Sequence, residues 1–323
     1  MKAIFLKAEI FLATLLAFAL AAPALADHMT GLPPSARHQE LPIELKQVAP
    51  DLYFYYNDSS SNSAFLVTGE GVLVVDSGQH PADARELLAH IRKVTDKPIR
   101  YVINTHFHGD HVFGNTVFHS QGATIIAHRD TVTMMRTHYT QEIARRADYY
   151  KRFGRDPVEL RMDLPDLALD GNLSITLGGR TINLIHLGAG QNPGDMLVHF
   201  PHARTVFVGG PFARRNWSNT SFTPSVDNWI AMLKKIAAMD VDRFLPGHGD
   251  IGNQQDVLDE ARLLGDFQAA MKTGMAQGMG REALVKNLRF PQYQDLRNYD
   301  RLHNFINGLH HLYSTGKPLT GLP

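Results

Sequence analysis

The chain has 323 residues, and its 32 Lys plus Arg equal its 32 Asp plus Glu, so the formal charge is zero. That balance carries no electrostatic footprint for a nucleic-acid or strongly acidic partner. Cysteine is absent, which excludes disulfides and thiolate zinc sites and argues against a lipid-anchored N-terminus. The seventeen histidines are the unusual count, and the question they raise is how many converge.

Residues 1–26 read as a signal peptide: Lys2 and Lys7, an apolar run from Ile10 to Ala22, and the small-x-small site Ala24-Leu25-Ala26. The run is short for a bilayer span. A cleaved, exported protein beginning at Asp27 is therefore expected, in the periplasm or secreted, with no membrane span in the mature chain. Cleavage leaves 323 − 26 = 297 residues, enough for one large core. Residues 27–42, polar with Gly31, Pro33 and Pro34, read as a linker, and 43–323 as one domain with a helical C-terminal extension.

Leu52–Tyr56 and Ser63–Thr68 have the β-branched and aromatic content of strands, and Val72–Asp76 is a buried strand ending in Asp76-Ser77-Gly78. His80 to Thr95 carries Leu87, Leu88, Ile91 and Val94 at helical spacing, with Pro81 in the first turn. Ile99–Asn104 and Ala123–Ala127 are further strands, with a polar loop from Thr105 to Asn115 between them. Asp130 to about Phe153 reads as a helical insert whose Arg145, Arg146, Lys151 and Arg152 suggest a solvated face. Leu173–Leu177 and Arg180–His186 form a hairpin pattern around Gly178-Gly179. Met196–Phe200, Thr205–Val208 and Val241–Leu245 read as strands, Ser225–Met239 as an amphipathic helix, and the tail from Gln254 as helices broken near Gly274–Gly280 and Pro291. Strands followed by helix in both halves suggest an α/β protein of αββα type, two sheets with helices outside.

The chemistry concentrates in His106-Phe107-His108-Gly109-Asp110-His111. Four potential ligands in six residues directly follow a buried strand, and Gly109 is placed to free the turn. Imidazole and carboxylate together suit zinc. His-x-His-x-Asp-His after Asn-Thr resembles the hallmark of the metallo-β-lactamase superfamily. The likeness runs over roughly residues 43–252, from the strand ending in Asp76 to the late Pro246-Gly247-His248-Gly249. The run from Ile99 to His128 is similar in particular to periplasmic zinc metallohydrolases of the SoxH or quinoprotein-relay type. The resemblance implies two mixed sheets in a sandwich and a metal site between them, with His106 and His108 on a first ion and Asp110, His111 and His248 on a second. It implies too that Asp76 orients a ligand from behind.

The sequence departs from that pattern twice. The expected Gly-His-Thr-Pro-Gly-Asp reads Gly190-Gln191-Asn192-Pro193-Gly194-Asp195, leaving Gln191 as a tentative, weaker ligand, and Gly210 stands where a bridging aspartate is expected. One zinc ion is accordingly favoured over two. His186 is a candidate substitute ligand, although an isolated histidine at a strand end is more often packed. His128 is read as packed or as supporting a ligand from behind rather than as a ligand, and Tyr53–Tyr56 either as core or as the mouth of the cleft. Arg214 and Trp217, after the Gly210 loop, read either as binding an anionic group and walling the pocket or as part of an exposed structural loop.

The leading expectation is a zinc-dependent hydrolase for a small-molecule substrate, using metal-activated water on an amide, ester or lactone-type bond, with Asp110 as ligand and water-orienting group. The alternative is a metal-binding or accessory protein on the same fold that has lost catalysis.

Overall fold

The computed structural model describes residues 43–151, 159–217 and 219–320. The signal peptide and linker expected over 1–42 lie outside the described residues. The first strands, β1 (Ile43–Ala49), β2 (Leu52–Asn57), β3 (Ser63–Val67) and β4 (Val72–Val75), pair antiparallel in sequence order. Helix α1 (Pro81–Val94) then crosses over to β5 (Ile99–Asn104), which lies parallel to β4. Short helices α2 (Gly109–Val112) and α3 (Asn115–His119) lead to β6 (Thr124–His128), and α4 (Arg129–Lys151) leads to β7 (Leu167–Leu169). The last two strands extend the sheet in parallel, giving the order β1-β2-β3-β4-β5-β6-β7.

The second sheet holds β8 (Leu173–Leu177), β9 (Arg180–Ile185), β10 (Leu197–Phe200), β11 (Thr205–Ala213) and β12 (Arg243–His248), in the order β12-β11-β10-β9-β8. Its neighbours are antiparallel except β11 and β12, whose parallel pairing needs the crossover helix α5 (Val226–Ala237). Helices α6 (Gln254–Ala276), α7 (Arg281–Asn287) and α8 (Leu302–Thr315) follow.

Alternation along the strands explains the layers. Leu66, Leu73, Val75 and Ile103 face Ile182, Val198, Phe207 and Leu245 of the other sheet, forming the inner core. Their neighbours Phe65, Val72, Val74 and Val102 point the opposite way, onto Leu87 and Ile91 of α1 and Phe118 of α3. The strands are thus covered on both faces, which is why they read as continuous apolar runs. The outer face of the second sheet packs on α5, α6 and α8 around the fully buried Trp229. Each large side chain so buried contributes about 1.5–3 kcal/mol.

Caps set the helix ends. His80 accepts from the Ala82 amide ahead of Pro81, Ser225 caps α5, and Asn253 with Asp256 forms a reciprocal capping box on α6. Three expectations need amendment. The polar stretch 105–115 contains α2 and the start of α3 rather than a plain loop. Strands β1 and β7 carry no pattern strong enough to read. The insert helix is not simply a solvated face: Lys151 is exposed, but Arg146 is 5% exposed and turned inward. Among the described residues no helix is long and apolar enough to cross a membrane.

Candidate metal centre

The ligand run leaves the end of β5, at the mouth between the two sheets. The residue ending each inner strand supports it. Asp76, just past β4, adopts φ 57°, a left-handed conformation that aspartate tolerates better than most residues. Its carboxylate accepts from the Thr105 amide and hydroxyl, each at 2.8 Å, and meets His111 Nδ1 at 2.7 Å. The Thr105 hydroxyl also lies 3.0 Å from His106 Nδ1. His248 comes from the end of β12, with Nδ1 3.2 Å from the Ser60 carbonyl. In all three imidazoles the Nδ1 side is tied to a partner, which presents Nε2 forward.

Those forward atoms converge. His111 Nε2 lies 3.4 Å from Asp110 Oδ2 and 3.4 Å from His248 Nε2, and His248 Nε2 lies 3.3 Å from the same carboxylate oxygen. Zinc bonds of about 2.0–2.1 Å in a tetrahedron set neighbouring ligand atoms about 3.3–3.4 Å apart. The donor set and its spacing therefore fit a tetrahedral ion with three protein ligands and a fourth position for solvent or substrate. Beside it, His106 Nε2 faces His108 Nδ1 at 3.2 Å. Asp76, His106 and His111 also sit close enough to suggest a metal group. Both Asp76 oxygens are engaged by Thr105 and His111, a geometry that suits orienting a ligand better than binding an ion.

Arg146 of α4, missed in the sequence, completes the centre. Its Nη2 donates to Asp110 Oδ1 at 2.8 Å, and both side chains are 5% exposed. One carboxylate oxygen is thereby fixed and the other left for the ligand set. Glu142, one turn earlier, lies 3.6 Å from Arg146 Nε. Burial opposes the charge on Arg146, but Asp110, Tyr150 and Glu142 outweigh it and hold the guanidinium charged. Burial likewise opposes ionisation of Asp110, yet His111, Arg146 and His248 hold its carboxyl well below the usual range. Burial, then the neighbouring His111 and His108, keeps His106 neutral at physiological pH. Burial pushes His108 down to about 4 against the pull of Asp110. His111 goes the other way: Asp110 and Asp76 overcome burial and raise it.

Gly109 is needed for space, not for turn freedom. A side chain there would place its Cβ 2.3 Å from the Phe113 ring and 3.0 Å from Arg146 Nε. Gly210 has a similar meaning. A Cβ at that position would lie 2.3 Å from Gln191 Oε1 and 3.1 Å from His106, so the two departures from the family pattern are coupled: the Gln191 amide fills the room of the missing aspartate. That amide is held by both ends, Nε2 donating to the Asn219 carbonyl at 3.2 Å and Oε1 accepting from Asn192 Nδ2 at 3.1 Å. Asp195 anchors the same loop through the Asn192 amide at 2.8 Å, and burial pushes its carboxyl up to about 7.

His106, His108, Asp110, Gln191 and His248 line one cleft, and Trp217 walls it. Arg214 does not face that cleft: its Nε lies 3.1 Å from Asp256 at the start of α6, so the sequence-based placement of Arg214 against substrate is corrected. His186 is not a substitute ligand. It bonds the Asp195 carbonyl at 2.8 Å and stacks on His128, ring centres 3.9 Å apart. Phe54 and Tyr55 are core residues, and Tyr53 stacks on Phe65.

A sequence profile of the metallo-beta-lactamase superfamily matches residues 56–248. A linear primary-alkylsulfatase from Pseudomonas sp. (strain ATCC 19151) is 25% identical over 69% of this chain and 49% of its own length. The chain thus spans about half of that relative. A type 2 metallo-beta-lactamase from Bacillus sp. (strain 170) is 26% identical over 65% of this chain and 76% of its own. Among solved structures, a metallo-beta-lactamase from Pontibacter korlensis superposes with a TM-score of 0.58 at 17% identity, covering 69% of this chain and 99% of its own. A double mutant of a sec-alkyl sulfatase superposes with a TM-score of 0.68 at 15% identity, covering 85% of this chain and 50% of its own. Profile, relatives and architecture agree, and the chain belongs to the metallo-β-lactamase superfamily.

Proposed function

We propose that the protein is an exported zinc-dependent hydrolase that cleaves an amide, ester or lactone-type bond in a small molecule, with Asp110, His111 and His248 holding the principal ion. The observation that carries this is the mutual 3.3–3.4 Å spacing of three ligand atoms. Its relatives, alkylsulfatases and metallo-beta-lactamases, are hydrolases, and the alkylsulfatase likeness adds sulfate esters to the bonds worth assaying.

Zinc bound there supplies Lewis acidity and brings the ionisation of water to about pH 7. The chain's own residues do the rest. Asp76 and Thr105 fix the ring orientations of His111 and His106. Arg146 holds Asp110 ionised and turned. His106 and His108, kept neutral, offer lone pairs on the neighbouring side. Gln191, engaged at both ends, contributes at most a weak oxygen. Trp217 and Phe305 form the apolar part of the cleft wall.

A metal-binding accessory role is the second reading, favoured by Gln191 and Gly210. Retention of five candidate ligands, four of them held by an orienting partner, favours the enzyme. Zinc-loaded, desalted protein assayed against lactams, lactones, thioesters and sulfate esters separates the two. Zinc retention without turnover of any class would favour the accessory role, and failure to retain zinc would sink both. Export is tested by N-terminal sequencing of protein from its host: Asp27 as first residue supports it, and an intact Met1 on cytosolic protein refutes it.

A further inference from the structure

The turn from β2 to β3, residues 57–62, touches both segments that carry the principal ligands. The Ser60 carbonyl lies 3.2 Å from His248 Nδ1, and Ser61 Oγ donates to the Asp110 carbonyl. Asn62 holds the stretch around His248. Its amide donates to the Gly247 carbonyl at 2.8 Å, and its Nδ2 donates to the carbonyls of Pro246 at 3.0 Å and Gly249 at 2.7 Å. Asn62 Oδ1 accepts from the Asn57 amide at 3.1 Å, which closes the turn on itself. Ser61 and Asn62 are both buried, so these bonds are shielded from water.

The same turn is gripped from the C-terminal segment. The Asp58 carboxylate accepts from both terminal guanidinium nitrogens of Arg297, and from the Tyr56 hydroxyl at 2.6 Å. A two-pronged pair fixes orientation as well as distance. Arg297 is anchored in its turn through its backbone: its amide donates to the Arg215 carbonyl at 3.0 Å, and its carbonyl accepts from the Trp217 amide at 2.9 Å. Beside it, Asn298 Nδ2 donates to Asn216 Oδ1 at 2.6 Å. Thr220 Oγ1 reaches the Phe305 carbonyl at 3.3 Å, and a Cβ on Gly308 would come within 2.7 Å of that hydroxyl, so α8 lies hard against the stretch that follows β11. Arg297 lies outside residues 56–248, the part that the superfamily profile matches. The grip on Asp58 is therefore supplied by the C-terminal segment and not by the matched core.

We infer that Arg297 is a positioning residue for the metal centre: through Asp58 it holds the 57–62 turn, and through that turn it keeps Asp110 and His248 at ion-binding spacing. The inference rests on the ion assigned above to Asp110, His111 and His248. Zinc bond lengths tolerate departures of only about 0.2 Å, so a turn free to shift by more than that costs affinity. Charge alone has a different signature. Removing a positive charge near a bound cation tightens it, and removing a negative charge loosens it. Loss of positioning loosens it in both cases.

Zinc affinity, read by competition with a chromophoric chelator, tests the inference in Arg297→Gln, Asp58→Asn and the double variant. Leu87→Ala, in the outer core beneath α1, controls for lost stability. Each single variant is expected to bind zinc about tenfold more weakly than the parent. The double variant should be no weaker than either, because the two side chains act as a unit. It strands neither charge, which keeps the test open should a single variant misfold. Arg297→Lys should recover part of the loss. Leu87→Ala should unfold more readily in urea and keep the parent affinity. Parent-like or tighter binding in Arg297→Gln overturns the inference. So do single effects that multiply in the double variant, or an equal affinity loss in Leu87→Ala. A parent protein that retains no zinc overturns both this inference and the reading beneath it. The expected losses, found in a protein that hydrolyses none of the assayed bonds, uphold the positioning role and count against the hydrolase alone.

Discussion

Replacing Arg146 with methionine removes the guanidinium paired directly with the Asp110 carboxylate inside the protein. The two groups are 2.8 Å apart and both 5% exposed. Charge centres about 4 Å apart at an effective dielectric of about 20 interact by about 4 kcal/mol. Breaking a buried pair by deleting one partner costs about 3–5 kcal/mol, because the other charge is stranded. The metal-free protein should therefore lose stability on that scale in urea unfolding. The zinc-loaded protein should lose less, since the ion supplies a counter-charge. Deleting a residue that orients a ligand also weakens metal binding by about 10–100-fold, measurable by competition with a chromophoric chelator. Arg146→Lys should recover part of the stability and less of the affinity, because a point charge lacks the planar fork. A methionine variant with unchanged zinc affinity, and metal-free stability within about 0.5 kcal/mol of the parent, would refute the role given to Arg146.

His111→Ala removes one of three converging ligands and should abolish tight zinc retention, read by elemental analysis after desalting. Gln191→His should raise zinc content toward two per chain, because an imidazole would join His106 and His108 where a doubly bonded amide now stands. If the parent protein already retains two ions, that reasoning fails. Asp58→Asn should weaken its ion pair with Arg297 and cost about 1.5–3 kcal/mol at neutral pH. Burial of Asp58 is outweighed by Arg297 and Tyr56, so its folded pKa lies below the ordinary value. Its contribution is therefore complete above the unfolded pKa, about 3.9, and is lost as pH falls through the lower folded value. Parent and variant unfolding curves should converge in acid, and a gap that persists there would contradict the assignment.

The sequence carried the parts of this protein whose signal is local. Four potential ligands within six residues, and a late Pro-Gly-His-Gly that the family resemblance singled out, pointed to His106, His108, Asp110, His111 and His248, which the fold brings to one place. Asp76 stood out as the residue ending a buried strand, and the family resemblance supplied its orienting role. Arg146 was not, because it lies in a run of basic residues that reads as solvated. A signal was nevertheless present: Met135, His138, Glu142, Arg146 and Tyr150 fall on one helical stripe, and all five are buried. A Glu-Arg pair one turn apart, continuing an apolar stripe, is a stronger sign of a buried pair than of a wet face. Arg214 failed for the opposite reason. Its neighbour Trp217 does reach the cleft, but the tight bend at Arg215, with φ 52°, sends Arg214 toward α6. The far wall of the cleft was illegible because it brings Asn216 onto Asn298, 82 positions along the chain, a contact that no periodicity encodes. The coupling of Gln191 with Gly210 is a contact of the same kind.

The central claim is that Asp110, His111 and His248 hold a metal. Crystals of zinc-loaded protein, measured on both sides of the zinc absorption edge, test it most directly. The account predicts an anomalous peak about 2 Å from Asp110 Oδ2, His111 Nε2 and His248 Nε2, stronger than any peak between His106 and His108. A peak confined to the His106 and His108 side, or none in the cleft, would contradict it.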